Sequence, residues 1–346
     1  MTNRGKACRT MVGLIENQER SMNFARLVLP IVAIALASGC ASTPPRSSAL
    51  PELSPGVWLL RGSFVEGAQP DGNTLILQGR DGLVVIDTGR HRAHAEAILD
   101  FARRQRLPIR AVVNTHWHLD HVGGNVLLRD SVPGLKVHAS NAIDGALDGF
   151  LSSYRSQLTE IIPRSDPEAR SRYEAELALI EAGRKLAPDE TITRSGVRSI
   201  AGREVELLLG LPAVTAGDVR ILDVRSGILA AGDLVTLPVP FLDTACPSGW
   251  RSALDDIAAQ EFSLLVPGHG EPMARAGFET YRRAFGSLLD CAASDATKQS
   301  CASGWIMELG AMLPESEHAF TRRLMDYYIE ALRSDPGMAH RCSQGT

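Results

Sequence analysis

The feature that most constrains this chain is a dense run of metal-binding side chains, His116-Trp117-His118-Leu119-Asp120-His121. It closely follows the apolar stretch 111–113, which has the composition of a buried strand. Residues i and i+2 of an extended segment point to the same side, so His116 and His118 can bind one ion together. Asp120 and His121 then point toward a second position. Zinc accepts imidazole and carboxylate ligands, and the run therefore predicts a zinc centre.

The hydrophobic pattern around this run alternates between strands and helices. Strand patterns cover 57–61, 74–78, 83–87, 111–113, 204–209, 219–224, 228–231 and 263–266. Helical patterns cover about 93–106, 140–190, 250–260 and 277–333. Strand-rich halves with helices outside them predict an α/β fold in which two sheets pack between layers of helix.

The N-terminus has the pattern of an export signal. An apolar run, Leu27 to Ala37, follows Arg26, and it is shorter than the roughly 20 apolar residues that span a bilayer. We expect residues 1–39 to be a signal peptide, with Met22 as an alternative start. Plain secretion and a membrane anchor or core segment are the other interpretations.

The end of this segment, Leu36-Ala37-Ser38-Gly39-Cys40, resembles a bacterial lipobox, in which the cysteine is acylated. Residues 40–56 would then be lipidated Cys40 and a flexible tether rich in Pro and Ser. The expected location is the cell envelope, lipid-anchored and facing the periplasm. Ala41, after the lipidated cysteine, favours the outer membrane.

Charge restricts the partners. The formal net charge is −4, without the basic footprint of a nucleic-acid binder. We therefore expect a small-molecule substrate, no nucleic acid, and membrane contact only through the lipid anchor.

Export would place the remaining cysteines in an oxidising compartment. With Cys8 in the signal segment and Cys40 lipidated, four remain, which allows three pairings. We favour Cys291–Cys301, which closes a short loop between helical stretches, together with Cys246–Cys342. Free buried thiols are the alternative.

The run Thr115 to Asn125 resembles the signature loop of the metallo-β-lactamase superfamily. Three further segments match that family in order and approximate spacing: Val84-Val85-Ile86-Asp87-Thr88-Gly89, Ala231-Gly232-Asp233 and Pro267-Gly268-His269-Gly270. The resemblance implies an αββα sandwich over about 57–273, with a helical insert at about 140–190 and a C-terminal helical extension, 274–346. It also implies that Asp233 bridges two ions, that His269 is a ligand, and that Asp87 orients a metal-binding His from behind.

One position departs from the family pattern. The family normally supplies another His in a segment reading roughly G-H-T-x-G-D, and Val214 occupies that place here. No histidine occurs between His138 and His269 to replace it. Asp218 is a candidate substitute, and His138 is expected to begin the helical segment in a structural role.

The departure divides the predicted centre into two unequal sites. The first site retains His116, His118 and the shared Asp233. The second site is complete, with Asp120, His121, Asp233 and His269. We expect one firmly bound zinc ion and a second that is weakened by Val214.

The resemblance implies a zinc-dependent hydrolase, in which an activated water attacks the carbonyl of an ester, amide, lactam, lactone or thioester. Asp120 is the expected catalytic residue, orienting that water. The insert and the tail after residue 275 are candidate walls of the substrate site. Two alternatives stay open: a mononuclear iron oxidoreductase, since two His and a carboxylate bind non-haem iron, and a non-catalytic metal- or ligand-binding envelope lipoprotein with a degenerate first site.

Overall fold

A computed structural model describes residues 50–63 and 69–343 of the chain. The predicted signal peptide, lipidated Cys40 and most of the predicted tether lie outside the described residues. In the described part of the chain, no helix has both the length and the apolar character needed to cross a membrane.

Two sheets form the centre of the fold. The first contains β1 (Glu52–Ser54), β2 (Val57–Leu60), β3 (Thr74–Gln78), β4 (Leu83–Ile86), β5 (Ile109–Val113), β6 (Lys136–Ala139) and β7 (Glu190–Thr191), side by side in chain order. The second contains β8 (Gly196–Ile200), β9 (Arg203–Leu209), β10 (Val219–Asp223), β11 (Ile228–Thr236) and β12 (Leu264–His269), also in chain order. Strands β4 to β7 pair in parallel, as do β11 and β12, and the other pairs are antiparallel.

Helices connect and cover these sheets. Near the first sheet lie α1 (Arg92–Gln105), α2 (Leu119–Val122) and α3 (Asn125–Ser131). Between β6 and β7 lie α4 (Ala142–Asp148), α5 (Phe150–Ile161) and α6 (Pro167–Glu181), with 3-10 turns at Ile162–Arg164 and Gly183–Leu186; we call this the insert. Helix α7 (Pro247–Ala259) joins β11 to β12. The C-terminal helices are α8 (Arg275–Ala292), α9 (Lys298–Leu309), α10 (His318–Ser334) and α11 (Gly337–Cys342), with 3-10 turns at Gly310–Met312 and Glu315–Glu317.

Alternating side chains separate the core into layers. Leu75 and Leu77 of β3 point between the sheets and pack with Leu207 and Ile221 of the second sheet. Ile76, between them in sequence, points to the other face and joins the layer beneath α1. The outer face of the second sheet is covered by α7 and the C-terminal helices, which contribute Trp250, Phe285 and Trp305 among others. The arrangement is an αββα sandwich, and the predicted fold class is confirmed.

Local sequence explains the boundaries in the insert. Asp166 caps α6 by accepting hydrogen bonds from the backbone N–H groups of Glu168 and Ala169. Pro167 occupies the first helical position, where its missing N–H costs nothing. Pro163 lies in the 3-10 turn that follows α5, so the two prolines of this segment mark the boundary between α5 and α6.

Several elements differ from the predicted pattern. Glu52–Ser54 form β1 against β2, so a flexible tether reaching residue 56 is wrong at its C-terminal end. His138 lies in β6 and does not begin a helix. Strands β1, β6, β7 and β8 were not predicted, because most of their side chains are at least partly exposed and they lack the apolar runs of β3, β4 and β5.

Two disulfides join the C-terminal part of the fold. Cys246, at the start of α7, is bonded to Cys342 in α11, and Cys291 of α8 is bonded to Cys301 of α9. The favoured pairing is confirmed.

The two disulfides provide a matched test of chain-entropy stabilisation. Cys246–Cys342 spans 96 residues and Cys291–Cys301 spans 10. Because a longer loop restricts the unfolded chain more, replacing the first pair by serine should destabilise the protein by about 2 kcal/mol more than replacing the second pair. Urea unfolding of the oxidised variants measures both values, and equal losses would contradict the expectation.

Candidate metal centre

The loop after β5 carries four of the predicted ligands. His116 and His118 lie in the loop, and Asp120 and His121 lie in the short helix α2, all of them buried. Asp233 lies in β11 and His269 ends β12. Because β11 and β12 are parallel neighbours, both residues reach the same region of the sheet edge.

The residues of the second site converge. His269 Nε2 is 3.0 Å from Asp120 Oδ2, and His121 Nε2 is 3.2 Å from Asp233 Oδ1. His269 Nε2 is also 3.5 Å from Asp233 Oδ1. One nitrogen or oxygen of each of these four residues lies within 4.8 Å of those of the other three. The structure thus brings together side chains that are up to 149 residues apart in sequence.

The residues of the first site converge beside them. His116 Nε2 is 3.0 Å from His118 Nδ1 and 3.7 Å from Asp233 Oδ2. The two oxygens of Asp233 therefore face different sites, Oδ1 toward the second and Oδ2 toward the first. This is the geometry that a shared carboxylate requires.

Two atoms in the centre have no hydrogen-bond partner. His121 Nε2 and Asp233 Oδ1 are fully buried, yet neither is satisfied by hydrogen bonding. Leaving buried polar atoms unsatisfied is costly, and the exceptions in folded proteins call for an explanation such as an ion. A cation bound by both atoms would supply the missing interaction. The donor set and these orphaned atoms fit a divalent metal ion.

Burial and neighbouring charge set the ionisation of the centre. Burial lowers the pKa of His116 well below its usual value and that of His118 to about 4, so both rings are neutral at pH 7. Burial opposes ionisation of Asp120 and Asp233, but nearby His121 outweighs it and holds both pKa values low. Burial opposes protonation of His121 and His269 as well, but the neighbouring carboxylates outweigh it and raise the pKa of both rings. The centre therefore presents ionised carboxylates and two neutral imidazoles, the forms that bind a cation, and a bound cation would displace the extra protons of His121 and His269.

The carboxylate of Asp87 orients the loop from behind. Its Oδ2 accepts hydrogen bonds from His121 Nδ1 at 2.8 Å and Thr115 Oγ1 at 2.7 Å, and its Oδ1 accepts one from the Thr115 backbone N–H at 2.8 Å. With Nδ1 of His121 donating to Asp87, Nε2 is the nitrogen that faces Asp233. Asp87 therefore lies behind the ligand loop, in contact with His121.

Thr115 orients the ring of His116 in a similar way. Its hydroxyl donates to Asp87, so its oxygen accepts the hydrogen bond from His116 Nδ1, 2.9 Å away. That leaves His116 Nε2 unprotonated and directed at the centre. The sequence contained Thr115 in the signature run but gave no indication of this role.

Two glycines allow the backbone to pass close to the ligands. A Cβ atom on Gly72 would lie 2.4 Å from Cε1 of His121, and one on Gly268 would lie 1.9 Å from Oδ1 of Asp233. Neither contact is possible for a larger residue without moving a ligand. Gly72 was not indicated by the sequence pattern.

Val214 is where the family pattern breaks, and the structure provides no replacement ligand from Asp218. Val214 is fully buried in the apolar layer with Leu242 and Trp250. Asp218 accepts hydrogen bonds from the backbone N–H and hydroxyl of Thr215, at 3.1 and 2.8 Å, and burial raises its pKa to about 7. Among the described residues, neither converging group includes Asp218.

A cavity of about 470 Å³ opens onto the centre, with His118, Asp120, Asp233 and His269 in its lining. The insert contributes Phe150, Leu151 and Tyr154, and the C-terminal helix α10 contributes Phe320, Leu324 and Tyr328. Its walls are mainly apolar, and both helical segments that the sequence suggested as walls take part.

A buried ion pair fixes the insert to the centre. Arg90 Nη1 donates to the carboxylate of Glu176 in α6, and Arg90 Nη2 lies 3.8 Å from Oδ1 of Asp120. At the mouth of the cavity, His91 Nδ1 donates to Asp71 Oδ2 at 2.9 Å. Sequence reasoning missed all three contacts, because isolated Arg, Glu, Asp and His residues carry no signal of their partners.

An αββα sandwich with clustered imidazoles and carboxylates at one edge defines a class of metal-dependent hydrolases. The family model of the metallo-beta-lactamase superfamily matches residues 69–269, more than half of the chain. The chain belongs to this superfamily.

Part of the chain is similar to a curated protein. A linear primary-alkylsulfatase from Pseudomonas sp. is 25% identical over 222 residues, which are 58% of this chain and 41% of that protein. The chain therefore spans less than half the length of this curated relative.

Solved structures share the fold. A stereoselective inverting sec-alkylsulfatase from Pseudomonas sp. has a TM-score of 0.55 at 21% identity, covering 83% of this chain and 51% of that one. A metallo-beta-lactamase from Pontibacter korlensis has a TM-score of 0.50 at 22% identity, covering 67% and 95%.

Replacing Asp87 tests whether its carboxylate orients His121 for metal binding. Asp87→Asn keeps the size of the side chain and tolerates the left-handed backbone found here, φ 59°, but it removes the charge that holds His121. We expect zinc affinity to fall about 10- to 100-fold with the fold retained. Chelator competition measures the affinity, and Asp81→Asn, an exposed site in a turn, should change it little. Equal affinity in both variants would contradict this role.

Asp243 in the cavity wall gives a prediction for pH. Burial raises its pKa to about 6, above the unfolded value near 4, although Tyr327 donates a 2.7 Å hydrogen bond to it. The folded state thus holds a proton that the unfolded state loses between about pH 4 and 6. Stability from this group is present below pH 4 and is lost as pH rises to 6.

Relative to Asp243→Asn, the wild type should lose about 1–2 kcal/mol of unfolding free energy between pH 4 and 7. Urea unfolding in the presence of a chelator measures this difference while metal binding is suppressed. A difference that does not vary with pH would show that Asp243 is ionised throughout.

Proposed function

We propose that the protein is a zinc-dependent hydrolase that cleaves an ester-type bond in a substrate carrying an apolar group. The observation that carries this proposal is the pair of unsatisfied buried atoms, His121 Nε2 and Asp233 Oδ1, at the base of an apolar-walled cavity. Zinc is the metal that best suits a set of imidazoles and carboxylates held in a buried site. When bound, it would lower the pKa of a water molecule and polarise the bond under attack.

The predicted ligands would form two metal sites that share Asp233. The first site would be held by His116, His118 and Asp233. The second would be held by Asp120, His121, His269 and Asp233.

Asp120 also lines the cavity and is held ionised, so it can accept a hydrogen bond from a water molecule and orient it. The guanidinium of Arg90 lies 3.8 Å from Oδ1 of Asp120 and favours the ionised state of this carboxylate.

The cavity supports an amphiphilic substrate. Phe150, Phe241 and Phe320 provide an apolar surface that excludes water and binds an alkyl or aryl group, while the scissile bond lies at the polar base. Carboxylic esters, lactones, lactams and thioesters meet this description. The similarity to an alkylsulfatase over 222 residues favours sulfate esters as a second candidate class.

Cellular location is part of the same proposal. A lipid anchor on Cys40 would hold the enzyme at the periplasmic face of the envelope, more specifically at the outer membrane. Two disulfides in the fold support an oxidising compartment. Small amphiphilic molecules reaching the envelope would be the substrates, with no role for nucleic acid.

A chromogenic panel tests the proposed reaction. Zinc-loaded protein should hydrolyse at least one of a p-nitrophenyl acyl ester, a lactone, a thioester, a β-lactam or an aryl sulfate. His121→Ala, which removes a ligand of the second site, should lower the rate at least 10²-fold, because its neighbour Asp233 also loses its nearest partner.

Metal analysis of the same samples separates the alternatives. Zinc near one or two equivalents supports the proposal, whereas iron near one equivalent would favour an oxidoreductase. Wild type and His121→Ala that are equally inert across the panel would favour a non-catalytic binding protein.

A further inference from the structure

The ring of His118 has a polar partner from a distant part of the chain. Its Nε2 lies 2.9 Å from the hydroxyl oxygen of Thr244, which is 126 residues later in the loop between β11 and α7. That hydroxyl also lies 2.9 Å from the backbone carbonyl oxygen of Val214 and donates a hydrogen bond to it. Val214 is the residue that stands where the superfamily pattern has a further histidine.

The hydrogen count of the hydroxyl determines the state of the ring. A threonine hydroxyl has one hydrogen, and the carbonyl of Val214 can only accept it. With that hydrogen donated to the carbonyl, the hydroxyl oxygen accepts from His118, and Nε2 carries the ring hydrogen. The lone pair then lies on Nδ1, 3.0 Å from the lone pair of His116 Nε2, and a cation bound between the two nitrogens would stabilise this arrangement. Without a cation, Nδ1 competes with Nε2 for the hydrogen, because His116 Nε2 can accept it.

The ring is otherwise enclosed by aromatic side chains. Trp117 and Phe241 pack nearly perpendicular to it, with centroid separations of 4.7 and 5.1 Å. These contacts restrict the position of the ring but do not distinguish one nitrogen from the other. The Thr244 hydroxyl makes that distinction.

The neighbouring ligand, His116, is also hydrogen-bonded to a threonine hydroxyl. Thr115 donates to the Asp87 carboxylate and accepts from His116 Nδ1, which leaves His116 Nε2 directed at the first site. Each imidazole of the first site is thus oriented by a threonine hydroxyl whose own hydrogen is donated elsewhere. The two acceptors, a carboxylate and a backbone carbonyl, are both fixed by the fold.

We propose that Thr244 is a positioning residue that fixes His118 with Nδ1 directed at the first metal site, using the backbone of Val214 as its anchor. The chain then compensates for the missing third imidazole by fixing the two that remain, which reduces the freedom lost when an ion binds. The proposal rests on the metal centre proposed above, but it does not depend on which bond is hydrolysed.

Two substitutions isolate the hydroxyl. Thr244→Val has nearly the same shape and lacks the hydroxyl, whereas Thr244→Ser keeps the hydroxyl and loses a methyl group. Thermal unfolding of both variants, compared with the wild type, checks that each is folded before any other measurement.

The first readout needs no metal and no substrate. In metal-free protein with ¹⁵N-labelled histidine at pH 7, His118→Ala identifies the His118 signals. We expect the wild type and Thr244→Ser to show a larger share of the Nε2–H form of His118 than Thr244→Val, in which His116 Nε2 is left as the hydrogen-bond partner of the ring. An equal share of the Nε2–H form in the wild type and Thr244→Val would overturn the proposal.

The second readout is the affinity for Zn²⁺ of the full-length protein, measured by chelator competition. Thr244→Val should bind the first-site ion about 10- to 100-fold more weakly, with Thr244→Ser within about threefold of wild type and the second-site ion unaffected in both. Serine and valine variants that are equally weakened would assign the effect to the methyl group and contradict the proposal. If the wild type binds a single ion, the histidine signals alone decide. Neither readout uses turnover, so an inactive substrate panel would leave this result intact.

Discussion

The geometry of the centre depends on one buried carboxylate. Asp87 accepts three hydrogen bonds from the loop that carries the ligands, two from Thr115 and one from His121. An ionised carboxylate makes strong hydrogen bonds when buried, and these fix both the path of the loop and the orientation of two rings. Asp87 itself has a left-handed backbone, φ 59°, which stores strain at the end of β4 to aim its side chain. The four ligands of the loop are thus positioned by the first sheet, while Asp233 and His269 come from the second.

The origin of the ligands in two different sheets explains which site residues could be predicted from the sequence. The ligands of the loop are adjacent in sequence and have a recognisable spacing, and the strands that deliver them are long and apolar enough to show a period. Asp233 and His269 were found only because a family pattern fixes their order. Thr244 and Gly72 could not be found, because a lone threonine or glycine has no local pattern and acquires its role only when distant segments meet. The same limit hid Arg90 and Glu176, 86 residues apart, whose pairing depends on how the insert folds back.

The insert and the C-terminal helices both pack on the core and line the cavity. The insert packs Leu151, Tyr154 and Leu158 around Trp117 of the ligand loop, so its apolar face supports the loop as well as bordering the cavity. The C-terminal helices cover the outer face of the second sheet, and α11 is joined to the start of α7 through Cys246–Cys342. Both segments therefore connect the cavity wall to the core that positions the ligands.

The two metal sites differ because the side chain of Val214 contributes no ligand to the first site. Its side chain belongs to the apolar layer under α7, where a buried imidazole would need a polar partner, and its carbonyl faces Thr244. The second site has four side chains that converge, two of them carboxylates, and the first has two imidazoles and one shared carboxylate. Since cation affinity rises with the number of charged ligands, the second site should fill first. An ion there would neutralise part of Asp233 and weaken the attraction for an ion in the first site, so orientation of His116 and His118 by two threonines contributes most to the weaker site.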